Sequence, residues 1–262
     1  MRLRSLLFVP AKEKMIQKIP SLDCDAVILD LEDSIEQKDK ENALMRVGSF
    51  LETFDRSMHI YVRLNAESFF NEMQYLHRVP NVGFMLPKFE NVETYMAAEM
   101  FLRDHSIIAL VETPAGLVNI RSIAACEWVD AIAFGAEDYT AKANMTNSVQ
   151  ALAYQKSRLV MYAKAFDKPV YDTPSFQLDA RDMFEEEVLY AVNAGFDGKM
   201  AITPKHVAYI NQSFGCCDVD FYKQVIKRFE ETGQAVCKID GRVYEKMHID
   251  RMKRIIKENG GN

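Results

Sequence analysis

Ala131-Ile-Ala-Phe-Gly-Ala-Glu-Asp-Tyr139 opens with an apolar run, Ala131 to Phe134, that stops at a glycine and gives way to two acids, Glu137 and Asp138. A run that is apolar at consecutive positions is a strand buried on both faces, as in a parallel sheet covered by helices. The acids at its exit have two readings. Either Asp138 belongs to a helix start, or the pair holds something where the strand ends. One unit earlier, Ile107-Ile-Ala-Leu-Val111 repeats the pattern and ends in Glu112, followed by Thr-Pro-Ala-Gly. Neighbouring parallel strands lie about 4.8 Å apart, so acids leaving two adjacent strand ends reach a single ion. Carboxylates without a neighbouring His or Cys select a hard, oxygen-loving cation such as Mg²⁺.

The same alternation runs along most of the chain. Strand-like runs at Leu6–Val9, Ala26–Leu29, Ile60–Val62, Gly83–Leu86, Ile107–Val111, Ala131–Phe134, Pro169–Tyr171 and Gly198–Ile202 are each followed by a helical pattern. Eight strand-helix units at a spacing of about 30 residues are what βαβ crossovers demand. The simplest closed arrangement is an α/β (β/α)₈ TIM barrel over residues 1–212, with a doubly wound open sheet as the other possibility. No glycine-rich dinucleotide fingerprint follows any strand, which favours the barrel. Residues 213–262 are surplus to it: a helix over Phe221–Thr232, a turn over Lys238–Val243 and a last helix over Tyr244–Glu258. They form a C-terminal helical extension expected to pack on the barrel or on a neighbouring subunit.

With 262 residues, 48% of them hydrophobic, the chain has enough apolar material for a large core. A formal charge of −6 and no concentrated Lys/Arg patch argue against a nucleic-acid surface. The N-terminal apolar run ends at Pro10, too short for a secretion signal, and no stretch has the roughly 20 apolar residues a membrane helix needs. Five cysteines, an odd number without metal-finger spacing, fit reduced thiols in a cytoplasm, and the vicinal Cys216-Cys217 pair reads as structural. A small-molecule ligand is expected.

In a barrel of this kind chemistry sits where the strands end. Asp30-Leu-Glu-Asp33, Arg63-Leu-Asn65, Pro87-Lys88, Glu112, Glu137-Asp138 and Asp172 leave six successive strands. Arg63 is the informative cation. Facing a metal site, its guanidinium would supply a fixed fork of donors to a carbonyl or enolate oxygen, whereas at the surface it would only pair with an acid. Lys88 reads as a partner of Glu32 or Asp33. Those two acids hold metal-bound waters or neighbouring cations as readily as they ligate. The five histidines fall on no shared rim.

Arg4-Ser-Leu-Leu-Phe-Val-Pro10, Ala26-Val-Ile-Leu-Asp-Leu-Glu-Asp33, Val62-Arg-Leu-Asn65, Leu86-Pro-Lys88, Val111-Glu-Thr113 with Gly116, Ala133-Phe-Gly-Ala-Glu-Asp138 and Gly195-Phe-Asp-Gly-Lys199 stand in this order. The set resembles the citrate lyase β-subunit-like proteins of the HpcH/HpaI aldolase and malyl-CoA lyase group, over nearly the whole chain. The resemblance implies a TIM barrel, a homotrimer or hexamer, that cleaves or forms a carbon–carbon bond in a 3-hydroxy-acyl-CoA of the citryl, malyl or citramalyl type. It also implies a 2-oxo acid and a CoA thioester as small-molecule partners and Mg²⁺ as cofactor. By position it makes Glu112 and Asp138 the Mg²⁺ ligands and Arg63 the group that steadies an enolate. The backbone of Gly135-Ala136-Glu137 becomes a nest for a substrate carboxylate, and Glu32 and Asp33 become acids behind the ligands.

The chain departs from the pattern in three places. Ala11-Lys12 follows the first-strand proline where Gly-Asn is usual, Ile202-Thr-Pro204 replaces Ile-His-Pro, and Glu245 stands where an acid-base Asp is expected. Glu245 can move the same proton from one methylene further out, or it can simply favour the dipole in the first turn of the last helix. Besides the lyase, two alternatives follow: a class II aldolase acting on free 2-oxo acids, and a barrel that binds a ligand or joins a complex without catalysis.

Overall fold

The computed structural model describes residues 3–54, 58–215 and 219–258. Cys216 and Cys217 lie outside them; Cys24, Cys126 and Cys237 are free thiols. The chain divides into two compact units, one over Leu3–Asn211 and one over the described residues from Gln212 onward.

The first unit is a closed barrel of eight parallel strands in sequence order. They are β1 (Ser5–Pro10), β2 (Ala26–Asp30), β3 (His59–Arg63), β4 (Val82–Leu86), β5 (Ile107–Val111), β6 (Ala131–Phe134), β7 (Val170–Asp172) and β8 (Gly198–Ala201). β8 closes on β1 through Ser5↔Lys199, Leu6↔Met200 and Leu7↔Ala201. Helical segments separate successive strands, as crossovers require. Two expected helices are fragmented: Glu13–Ile16 is a single turn followed by a 3₁₀ stretch at Ile19–Ser21, and Glu93–Ala98 is 3₁₀ before a short α-turn at Glu99–Leu102. A proline at position 20 interrupts the first of these.

Side chains alternate across each strand, and the barrel lumen takes one parity. Leu6, Ala26, Ile28, Tyr61, Met85, Ile108, Leu110, Ala131, Ala133, Tyr171 and Met200 make one buried cluster, with Phe8 packed against it. Counting two residues on from the last of these brings each strand to its rim. For seven of the eight strands the positions so reached are Pro10, Asp30, Arg63, Glu112, Gly135, Thr173 and Ile202, and all seven line one cavity, whereas Pro87, reached from β4, does not. The site is therefore the top layer of the lumen, where the apolar filling gives way to polar residues.

Asp172, expected at the rim, has the other parity and faces the helices. It is fully buried, with Lys199 Nζ 2.8 Å from Oδ2 and Lys156 Nζ 2.9 Å from Oδ1. Lys199 also donates to Thr173 O at 2.7 Å. This cluster welds β7 and β8 to the helix Val149–Ala165, and Asp172 leaves the list of rim acids.

The second unit has its own small core of Val225, Cys237, Ile239, Tyr244, Ile249 and Met252. It is not wholly helical. The expected turn is the tip of a hairpin, β9 (Val236–Ile239) against β10 (Arg242–Glu245), between helices Val219–Thr232 and Lys246–Glu258. Asp240 and Gly241 both have positive φ, 49° and 84°, the geometry of a two-residue hairpin turn that Asp-Gly favours. No described helix is long and apolar enough to cross a membrane.

Candidate active site at the C-terminal rim of the barrel

The cavity at the rim has a volume of about 330 Å³. Phe8, Leu110 and Met200 floor it, and polar groups converge above them. β3 delivers Arg63 into this layer, directly beside Asp30 in register on β2. Arg63 Nε donates to Asp30 Oδ1 at 2.7 Å, its NH1 lies 3.0 Å from Asp33 Oδ2 and 3.3 Å from Glu32 Oε2, and its guanidinium covers the Phe8 ring at 5.1 Å. Burial works against the guanidinium charge, but the Asp30 hydrogen bond and the three carboxylates outweigh it and hold the group firmly protonated. Arg63 thus faces the pocket, clamped from behind.

Asp30 is the hub of that clamp. Its Oδ1 also accepts the Glu32 N–H at 3.0 Å and its Oδ2 the Ser34 N–H at 3.1 Å, so one carboxylate fixes both Arg63 and the turn that carries Glu32 and Asp33. Burial alone would raise its pKa, yet Arg63 and the hydrogen bonds bring it below the usual Asp range. Asp30 was visible in the sequence only as a strand exit with no role. Its lumen parity, two residues after the core residue Ile28, is the signal that finds it.

Glu112 leaves β5 at 3% exposure. Its Oε1 accepts the backbone N–H of Lys88 at 2.7 Å, which Lys88 presents by adopting φ of 46°, a left-handed conformation uncommon outside glycine. Lys88 Nζ meanwhile pairs with Glu32 Oε1 at 3.2 Å, the partner expected for it. Gly135 makes room for Glu112: a Cβ there would stand 2.6 Å from Glu112 Cβ and 2.7 Å from its Oε2. Burial pushes the Glu112 carboxyl up to about 8, Glu32 and Asp138 add to the rise, and the Lys88 N–H and Arg63 oppose it. Glu32 is likewise raised, first by burial, and its Oε2 has no hydrogen-bond donor.

Glu137 and Asp138 open the helix Ala136–Ala143 and both line the cavity. Glu137 is exposed and accepts from Asn147 Nδ2 at 2.7 Å. The amides of Gly135 and Ala136 are spent within the protein, on Val111 O at 3.0 Å and Thr173 Oγ1 at 3.1 Å. That leaves the amides of Glu137 and Asp138 as the first-turn N–H groups here without intrahelical acceptors. Of the residues singled out from the sequence, Arg63, Asp33, Glu112, Gly135, Ala136, Glu137 and Asp138 share this cavity, and Glu32 stands behind Arg63. Glu245 belongs to the second unit, exposed at the end of β10, with its N–H donating to His248 Nδ1 at 3.0 Å. It precedes the last helix rather than lying in its first turn.

The donor set suits a hard divalent cation. Asp30, Glu32 and Asp33 are matched by Arg63 and Lys88, but among the described residues no side-chain cation pairs with Glu112 or Asp138. The described residues contain no cluster of three or more His, Cys, Asp or Glu fit for a metal. An ion here would rest on two carboxylates and take its other ligands from water and substrate, the habit of Mg²⁺.

A closed barrel whose C-terminal rim gathers a clamped arginine and uncompensated carboxylates defines a barrel enzyme acting on a small, oxygen-rich molecule. Residues 4–204 match the signature of the HpcH/HpaI aldolase/citrate lyase family, and the chain belongs to that family. It is an enzyme, a carbon–carbon lyase of the citrate lyase β-like type. It is 29% identical over 242 residues to mitochondrial citramalyl-CoA lyase of Rattus norvegicus, covering 80% of this chain and 71% of that one. It is 27% identical over 258 residues to a (3S)-malyl-CoA thioesterase of Cereibacter sphaeroides, covering 94% and 90%. Its fold is shared with CitE of Mycobacterium tuberculosis, solved with magnesium, acetoacetate and coenzyme A. That match has a TM-score of 0.84 at 22% identity and covers 99% of this chain and 98% of that one.

Proposed function

We propose that this protein is a Mg²⁺-dependent lyase that cleaves or forms the carbon–carbon bond of a 3-hydroxy-acyl-CoA thioester of the citramalyl, malyl or citryl type. The observation that carries the reading is the pairing, in one cavity, of a buried arginine held by three carboxylates with two carboxylates that no side-chain cation pairs with among the described residues. Magnesium in the M. tuberculosis neighbour and the CoA thioesters named for the relatives support it.

Glu112 and Asp138 would hold the ion, and bound there it supplies Lewis-acid polarisation of a chelating 2-oxo acid. The protein's own residues do the rest. Arg63 keeps its remaining N–H donors for the oxygen that gains charge as the bond to the acetyl carbon breaks, a contact that strengthens only in the transition state. Asp30 and Asp33 prevent the fork from turning away. The first-turn amides of Glu137 and Asp138 suit the carboxylate of the 2-oxo acid. Phe8, Leu110 and Met200 keep water from the carbon that becomes nucleophilic. Proton transfer at that carbon falls to Glu245 in this reading. The protein is expected in the cytoplasm as a homotrimer or hexamer.

Purified protein with Mg²⁺ should convert citramalyl-, malyl- or citryl-CoA to acetyl-CoA and the corresponding 2-oxo acid, and chelation should stop it. Chromatography of the thioesters distinguishes this from a second reading that the thioesterase relative favours, hydrolysis to free CoA and a hydroxy acid. Absence of acetyl-CoA from all three substrates would falsify the lyase.

A further inference from the structure

Beside the rim cavity lies a smaller one of about 110 Å³, lined by Asn147, Ser148, Val149, Lys156, Gln177 and Glu187 besides the residues the two share. The two share a wall of Glu137, Thr173, Pro174 and Phe176. Three of these are held. Glu137 sits in a helical turn and is tied to Asn147, Thr173 Oγ1 takes the Ala136 N–H, and the ring of Pro174 restricts its own backbone.

Phe176 is different. It lies on the irregular run between β7 and the helix Arg181–Ala194, its side chain is 51% exposed, and its ring stacks on no other aromatic ring among the described residues. It is the one bulky, loosely held part of the partition.

We propose that Phe176 determines the size of the substituent accepted on the 2-oxo acid half of the substrate, by closing the smaller cavity off from the larger. The inference rests on the reading of the rim cavity as a 2-oxo acid site. With the ring in place, a methyl-sized group fits above the apolar floor and a longer chain meets the ring edge. Without it the cavities join. The added space, about 110 Å³, is well above what a single water-sized group needs and takes several further heavy atoms. Hydrophobic walls discriminate a single methylene by roughly 10- to 200-fold, so a partition one ring thick is enough to decide between short and long substituents. Because Phe176 is about half exposed, its truncation leaves no sealed void and the fold should tolerate it.

The experiment is calorimetric binding of pyruvate and of 2-oxopentanoate, each with Mg²⁺, to wild type, Phe176→Leu and Phe176→Ala. Wild type should prefer pyruvate by about tenfold or more, Phe176→Ala should reduce that ratio to near one or invert it, and Phe176→Leu should fall between. Affinity for pyruvate itself should stay within about threefold, since its anchoring groups are untouched. An unchanged ratio in Phe176→Ala, or a parallel loss of both ligands, overturns the role of Phe176 while leaving the site reading intact. Failure of wild type to bind either acid overturns the site reading, and the specificity role with it.

Discussion

Arg63 has one hydrogen-bonded partner and two further ion-pair partners, all from the β2 exit. An ammonium cannot satisfy them at once, because it is a point charge on a flexible stem where the guanidinium is a rigid fork. Arg63→Lys should therefore keep the charge and the fold while lowering kcat by on the order of 10²- to 10³-fold, the usual cost of losing one fixed donor to a developing oxyanion. Rates of acetyl-CoA formation beside a circular-dichroism control check this, and a kcat within a few-fold of wild type would contradict it. At this scale the sequence was legible for residue type and strand exit. It did not show that Asp30 is the pivot, because the bond joins residues 33 positions apart. Nor did it show that the amides of Gly135 and Ala136 are already committed, since one acceptor, Thr173, comes from β7.

At the scale of elements, parity decides what a strand-end residue does. Asp172 and Asp30 look alike in sequence, each the last residue of an apolar run. Asp30 follows Ile28 into the lumen, whereas Asp172 follows Tyr171 onto the opposite face and meets Lys199 and Lys156. Burial acts to raise the Asp172 pKa, but the two ammonium groups overcome it and keep the carboxyl below its ordinary value. A depressed carboxyl contributes stability above its unfolded value near about 3.9, and that contribution is lost as pH falls through the lower folded value. Asp172→Asn should cost about 3–5 kcal/mol at neutral pH by leaving the buried Lys156 ammonium without a counter-charge and Lys199 with only Glu187, 3.7 Å away. In urea melts of both proteins from pH 7 downward, the stability gap should narrow below about pH 4. A gap independent of pH would mean that the carboxylate's charge is irrelevant. The hairpin of the second unit is a smaller case. Asp240-Gly241 announced its turn, but the four-residue strands were hidden because Val236 and Val243 are exposed while Cys237, Ile239 and Tyr244 are buried.

For the whole molecule, an ion bound only to the folded state must raise its stability. At 100 times its dissociation constant the gain is about 2.7 kcal/mol, which for a chain of this size is roughly 5–10 °C in Tm. Scanning calorimetry with and without Mg²⁺ should show that rise, and Glu112→Gln should remove it. A shift below about 1 °C at millimolar Mg²⁺ would exclude a site of useful affinity. Alternating apolar runs and helical patterns were enough, by themselves, to mark eight strands, their parallel crossovers and the end at which polar side chains collect. These are local periodicities, and each is written within a dozen residues. Closure into a barrel rather than an open sheet is settled by the pairing of β8 with β1. Which acid grips Arg63, which carboxylates are left without a cation, and which charged residue turns away from the rim were decided only by tertiary structure. Those outcomes depend on strand register and on the pleat at which each strand stops, and both are set by packing between segments far apart in the chain.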